Sequence, residues 1–599
     1  MDDKVKLTKG SLAVLRRRYL LKDNARRIIE TPEELFRRVA CHISKAERNF
    51  KGRKAALLVE EKFYSMMASL EFMPNSPTLM NAGSSFGQLS ACFVLPVADS
   101  IDEIFRAVHH MAKIHQTGGG TGFDFSHLRP KGDLVLSTKG EASGPVSFMG
   151  VFDKATEVIV QGGRRRGANM GVLRCDHPDI VEFIEAKRKK DVLVNFNISV
   201  GVTDKFMEEV KRGGSISLVN PRTGKRAGSV KARFLFDLIV DASWRSGDPG
   251  LIFLDEINRK NPAPLCGEIE ATNPCGELPL LPYESCNLAS INLAKMVKER
   301  KVDWQKLKER ILWGIRFLDD AIEVNKFPIR RITEVTRATR KIGLGVMGLA
   351  DMLIKLDIAY TSKRAVEFAE GLMRFVHRES IKSSERLAKE RGVFPDFKKS
   401  VYAKKNLKLR NSTVNTIAPT GTISIITGCS SGIEPLFAVS FMRNILSGTR
   451  LFEINPMFEE VARKRGFYSR KVLDEIARWG SLQKVKGIPE DVKKVFATAF
   501  DVKPQQHLKI QAAFQKYTDN SVSKTINLPS GVKREDIKKI YLAAHKLRCK
   551  GITVYRYGSK KEQVLSFGYG KERGRKLADR PVTVEAEYSG GCVSRRCPF

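Results

Sequence analysis

Between Lys306 and Lys326, Leu307, Ile311, Ile315, Leu318 and Ile322 recur at nearly helical spacing, which predicts an amphipathic helix with one buried stripe. Residues 1 to about 70 also read as helical. Leu12-Ala13-Val14-Leu15 is an apolar run, and Thr31-Pro32-Glu33-Glu34-Leu35-Phe36 joins a cap, an early proline and the start of a stripe. From about 71 to 300, Gly-rich turns separate short helices from strand-like runs such as Val192 to Val200. Strand-like runs recur at 412–428, 523–528 and 551–555, and Lys341 to Asp351 is a glycine-punctuated apolar segment ahead of further helices. Strands and helices alternating over about 500 residues predict an α/β fold built as one large barrel. Three regions are expected: an N-terminal helical region (1–70), an α/β barrel (71–558) and a polar, basic, flexible tail (559–599).

Composition narrows the class. The 599 residues are 42% hydrophobic and 29% charged, as in a globular protein. No apolar run approaches the ~20 residues a membrane span needs, and Met1-Asp2-Asp3-Lys4 lacks the core of a secretory signal. A cytoplasmic protein with no membrane partner is expected. The 104 Lys+Arg against 67 Asp+Glu leave a net charge of +37, which invites nucleic-acid binding. However, the basic residues are scattered and no nucleic-acid module accompanies them, so they read as a solvated surface. Ten cysteines without CxxC pairing predict neither a disulfide scaffold nor a structural zinc site, and no metal ligands are assigned. Cys41, Cys175, Cys266, Cys429 and Cys549 read as inert thiols.

Candidate chemistry concentrates in Asn273-Pro274-Cys275-Gly276-Glu277. Pro274 lacks a backbone donor and Gly276 tolerates unusual dihedrals, so Cys275 is predicted at the tip of a tight loop. Asn can hold a hydroxyl and Glu can remove its proton, which suits chemistry on a polyol such as ribose. Cys286 follows one short strand later. Cys592 and Cys597 lie behind Gly590-Gly591, where no core can form, and read as a mobile dithiol. Pro419-Thr420-Gly421-Thr422-Ile423-Ser424 offers hydroxyls and N–H groups for an anion. Gly118 to Gly122 permits close backbone approach to a ligand, and Arg164-Arg165-Arg166 lies in a Gly-rich loop suited to phosphate.

In their order these segments resemble ribonucleotide reductase, specifically the adenosylcobalamin-dependent class II enzymes, over nearly the whole chain. The resemblance implies a ten-stranded α/β barrel with a finger loop in its centre. It makes Cys275 the thiyl-radical site, Asn273 a holder of the ribose hydroxyls and Glu277 the base at the 3′-hydroxyl. Cys92, in Ser90-Ala91-Cys92, would form the reducing pair with Cys286. Ser76, Thr78, Ser90, Ala91 and Gly120 are similar to substrate-binding positions, as are Pro419, Thr420, Gly421, Thr422 and Ile423 at the phosphates. Asp99, Ser100, Ile101 and Arg165 resemble contacts to a deoxynucleotide or ATP effector, with Lys190 to Asn197 near the loop that couples effector to base choice.

The same likeness implies a homodimer. It also implies that Cys592/Cys597 re-reduces the site and is reset by a thioredoxin- or glutaredoxin-like protein. Val554 precedes Tyr555 where class I large subunits carry adjacent tyrosines, so the radical-relay pair is missing. Asp176-His177-Pro178-Asp179 does not make the Asp-x-His-x-x-Gly cobalamin-ligand motif, as expected for class II reductases. The alternatives are a class I-like large subunit with a metal-radical partner and, more remotely, a basic nucleic-acid-binding protein.

Overall fold

The computed structural model describes residues 5–161, 165–188, 191–445 and 449–559. Cys592 and Cys597 lie outside them, as do Arg164 and Lys190. Helices α1 (Lys9–Arg18), α2 (Pro32–Ser44) and α3 (Arg48–Ala68) open the chain. Thr31 and Glu34 form a reciprocal capping box at α2, with Pro32 in its first turn. Leu35, Phe36, Val39 and Ile43 turn inward to join Phe63, Met66 and Met67 in a core shared with the barrel wall.

Ten strands form one sheet. They are β1 (Phe72–Pro74), β2 (Cys92–Leu95), β3 (Gly120–Asp124), β4 (Asn169–Arg174), β5 (Phe196–Val202), β6 (Gly250–Phe253), β7 (Ser285–Asn292), β8 (Ile342–Met347), β9 (Thr525–Leu528) and β10 (Gly551–Arg556). β2 to β6 run parallel, in sequence order. β7 and β8 are parallel to each other, as are β9 and β10. Antiparallel seams at β2/β7 and β6/β10 join the halves. The ring closes where β8 bridges Asn415 and Ile417 bridges Val522, ahead of β9. β1 extends the wall against β7.

Helices α4 (Ile101–Gln116), α5 (Pro145–Val158), α6 (Trp304–Val324) and α7 (Lys363–Arg391) cover the barrel. The predicted stripe of α6 is buried at Leu307, Ile311, Ile315, Leu318 and Ile322. Two local expectations fail. The run from Val192 becomes a strand only at Phe196, because Asp191 and Leu193 adopt positive φ in a turn. The run 412–428 divides: 413–417 is extended against β8, whereas Gly421–Thr427 is helical. Among the described residues no helix is long and apolar enough to cross a membrane.

Candidate active site

Residues Ala271–Thr272 and Pro279–Leu280 pair antiparallel and carry the predicted loop between them. Asn273 closes it from three positions: its N–H donates to Leu278 O, its Oδ1 accepts from Leu278 N and its O accepts from Gly276 N. Gly276 has φ +78°, and a Cβ there would meet nothing within 4 Å, so open space lies beside the tip. Cys275 is half-buried, while Asn273 and Glu277 are buried.

This finger lies inside the barrel. A Cβ on Gly122 would overlap the Thr272 carbonyl oxygen, and one on Gly120 would come within 3.0 Å of Pro274 Cγ. Alternate residues of β3 share a face, so both glycines make room for the finger. On β5, Asn197 Nδ2 donates to Pro274 O at 2.8 Å. Across the interior, Thr416 Oγ1 donates to Glu277 O at 2.8 Å and Ser521 N to the same oxygen at 2.9 Å. The loop is therefore held from both half-barrels.

Cys92 and Cys286 face each other as register partners across the β2/β7 seam, and neither is in a disulfide. Asn273 Nδ2 donates to Cys92 Sγ at 3.0 Å, tying the finger to that pair. Burial raises the Cys92 thiol well above its ordinary range, and the Glu277 carboxylate and the neighbouring thiols add to the effect. Cys286 is also pushed well up by burial, against the pull of Lys341. Both are protonated thiols at neutral pH.

Several predicted substrate positions gather at the Cys92 end of the seam. Gly120 N donates to Ala91 O, and Ser90 Oγ reaches Asn287 Oδ1 on β7 at 2.8 Å. Ser76 Oγ meets Tyr19 Oη at 2.7 Å, bringing α1 to the same end. Thr78 is buried with its hydroxyl donating to Leu89 O. The 413–417 segment, which holds Glu277, leads straight into Pro419, Thr420, Gly421, Thr422 and Ile423. There the Thr420 hydroxyl accepts from Gly432 N. Thr78, Ser90 and Thr420 thus spend hydroxyl capacity on the scaffold.

The predicted effector residues are not gathered within one chain. Asp99 lies before α4 and pairs with Arg129 at 2.8 Å, Ser100 caps α4 and Ile101 is exposed at its first turn. Arg165 instead lies in the second strand of a hairpin ahead of β4, paired with Gln161, and nearby Gly167 packs on His115 at the other end of α4. The 16-residue helix spans ~24 Å. Sequence reasoning missed Asn287, Thr416 and Ser521, and it read Gly122 as room for a ligand where the structure places the finger. Their positions around the finger depend on strand register, for which the linear chain carries no signal.

Residues 5–87 match the family description "Ribonucleotide reductase, all-alpha domain" and residues 90–555 match "Ribonucleotide reductase, barrel domain". The chain belongs to the ribonucleotide reductase family. It is 50% identical to the vitamin B12-dependent ribonucleoside-diphosphate reductase of Thermoplasma acidophilum, covering 100% of this chain and 86% of that one. The identically described protein of Mycobacterium tuberculosis H37Rv is 49% identical over 100% of this chain and 83% of its own. Among solved structures, the Actinobacillus ureae class Id ribonucleotide reductase alpha subunit superposes with a TM-score of 0.76 at 25% identity, covering 92% of this chain and 97% of that one.

Proposed function

We propose that this chain is a class II reductase that converts ribonucleoside diphosphates to 2′-deoxyribonucleotides, using adenosylcobalamin and a thiyl radical on Cys275. The observation that carries the reading is the junction of Asn273 with Cys92, because it places the finger against a cross-strand dithiol. The diphosphate follows the two relatives near 50% identity, both described as ribonucleoside-diphosphate reductases. Val554 fills a buried wall position before Tyr555, so this sequence position offers no tyrosine pair for an external radical.

The residues at the tip fit such a cofactor: the half-buried Cys275 thiol can give up a hydrogen atom, and the open space beside Gly276 leaves it approachable. When bound, adenosylcobalamin supplies an unpaired electron by homolysis of its cobalt–carbon bond. Cys275, as thiyl, takes the 3′-hydrogen of the ribose, and Glu277 accepts the 3′-hydroxyl proton. The 2′-hydroxyl leaves as water after taking a proton from the Cys92/Cys286 pair. That pair gives two electrons and closes as a disulfide, and Cys275 returns the hydrogen to C3′. The balance is one ribonucleotide and two thiols to one deoxyribonucleotide, one disulfide and water. The raised thiols of Cys92 and Cys286 support this role, since the pair must hold its protons until the 2′-hydroxyl departs.

Asn273 orients the ribose hydroxyls, and Ser76, Thr78, Ser90, Ala91, Gly120 and residues 419–423 border the substrate. Asp99, Ser100, Ile101 and Arg165 bind a deoxynucleotide or ATP effector across a homodimer, a reading supported by their separation along α4. Cys592 and Cys597 carry electrons from a thioredoxin- or glutaredoxin-like protein in the cytoplasm. The test is anaerobic ribonucleotide reduction by the pure chain with and without adenosylcobalamin. Turnover that depends on the cofactor alone is expected. Turnover that instead requires a second, metal-containing subunit would establish the class I-like alternative.

A further inference from the structure

Where the finger enters the barrel, its first strand runs down β3 two residues at a time. Pro274 packs on Gly120, and the Thr272 carbonyl on Gly122. Continuing that register brings Glu270 beside Asp124, which shares the inward face of Gly120 and Gly122. His127, just beyond β3, completes the group. One oxygen of Asp124, one of Glu270 and a ring nitrogen of His127 all lie within 4.8 Å of one another.

Three features set this group apart from ordinary surface charge. Asp124 is 6% exposed, and its Oδ2 is buried with no hydrogen-bond partner while facing His127 Nε2 at 3.5 Å. Its Oδ1 is fixed by Ser126 N and Ser126 Oγ, at 3.2 and 2.6 Å, as a supported ligand carboxylate would be. His127 Nε2 lies 2.9 Å from Glu270 Oε2, with side chains 54% and 28% exposed, so an ion can reach the group from solvent. One imidazole with two carboxylates suits zinc or manganese and leaves coordination positions for water.

We infer that Asp124, His127 and Glu270 form a binding site for a divalent cation of the zinc or manganese type, which clips the stem of the finger to β3. Two carboxylates balance the ion's charge, and neutral imidazole completes a mixed oxygen–nitrogen set. The site lies at the opposite end of β3 from Gly120 and the Cys92/Cys286 pair. Its role is to fix the finger's entry, independent of the radical chemistry.

The test uses full-length protein carrying Cys592→Ser and Cys597→Ser, which removes another dithiol able to hold zinc. After chelator treatment and its removal, Zn2+ binding is followed by calorimetry and Mn2+ binding by the loss of the free-ion EPR signal. One ion per chain is expected, with at least tenfold weaker binding in His127→Ala and in Glu270→Gln. Zinc should raise the melting temperature of the parent only. Both replaced side chains are partly exposed, and circular dichroism of the metal-free variants reports their folding. No stoichiometric binding by the parent, or equal binding by folded variants, would overturn the assignment. None of these readouts depends on turnover, so the outcome is separate from that of the reductase reading.

Discussion

Gly122 shows how much of the site depends on one missing side chain. The Thr272 carbonyl occupies the space a Cβ would need, so Gly122→Ala must push the finger away from β3. A displacement of about 1 Å can cost ~100-fold in rate. Gly122→Ala should lower kcat by that order while the chain stays folded, as read by turnover beside circular dichroism. Gly276→Ala meets no atom and bears only the strain of its positive φ, of order 1 kcal/mol. An equal loss of kcat in both variants would contradict the close-approach explanation.

His115 governs a second residue-scale property. It is buried behind β3 with Nε2 3.0 Å from Thr121 Oγ1, and burial lowers its pKa from 6.5 to about 4. The unfolded chain therefore binds this proton at a higher pH than the folded one. The stability this gives is complete above pH 6.5 and is lost as pH falls toward 4, by up to roughly 3 kcal/mol. His115→Gln should flatten that part of the denaturation profile. An unchanged slope between pH 6.5 and 4 would remove His115 from the account.

At the scale of elements, buried ion pairs join the strand ends and helices. Lys341, just before β8, pairs with Glu284, just before β7, at 2.6 Å, with both side chains fully buried. Asp319 of α6 meets Arg340, Arg391 and Arg410, and Arg391 reaches Glu47 beyond α2, which couples the N-terminal helices to the barrel. Removing one member strands a charge. Lys341→Met should therefore cost ~3–5 kcal/mol in urea denaturation, while Lys341→Met combined with Glu284→Leu should recover most of it. No recovery in the double variant would show that Lys341 contributes mainly by packing.

Elements with a strong local pattern were legible in the chain. Helix α6 needed only its stripe, and α2 its cap and proline. The start of β5 was misplaced because Val192 and Leu193 are apolar yet sit in a turn with positive φ at Asp191 and Leu193. Ile423 and Ile426 continued a strand-like pattern through what is a short helix packed against α1, with Ser11 Oγ donating to Ile425 O. The finger was legible because its chemistry is contiguous. The pairing of Cys92 with Cys286 came from resemblance alone. Gly122 was legible as a close-approach glycine but not as the finger's seat, and Asn287, Thr416 and the Asp124–His127–Glu270 group were hidden because only register brings them together.

At the scale of the whole molecule, two half-barrels of opposite direction enclose the finger and grip it from both sides. Cys92 and Cys286 are buried in that enclosure, which on the proposed mechanism keeps water from the reacting sugar and a bulky protein reductant from the pair. On that mechanism a carrier is required. Cys592→Ser with Cys597→Ser should stop catalysis driven by a thioredoxin yet largely spare catalysis driven by a small dithiol. Equal loss under both reductants would argue against the shuttle.

On the proposed mechanism, hydrogen-atom transfer passes through one sulfur, that of Cys275. The most direct measurement is deoxyribonucleotide formation by Cys275→Ser, assayed anaerobically with adenosylcobalamin and alongside nucleotide binding. No product with undiminished nucleotide binding is the predicted result. Product formed by the serine variant at a rate near that of the parent would contradict it.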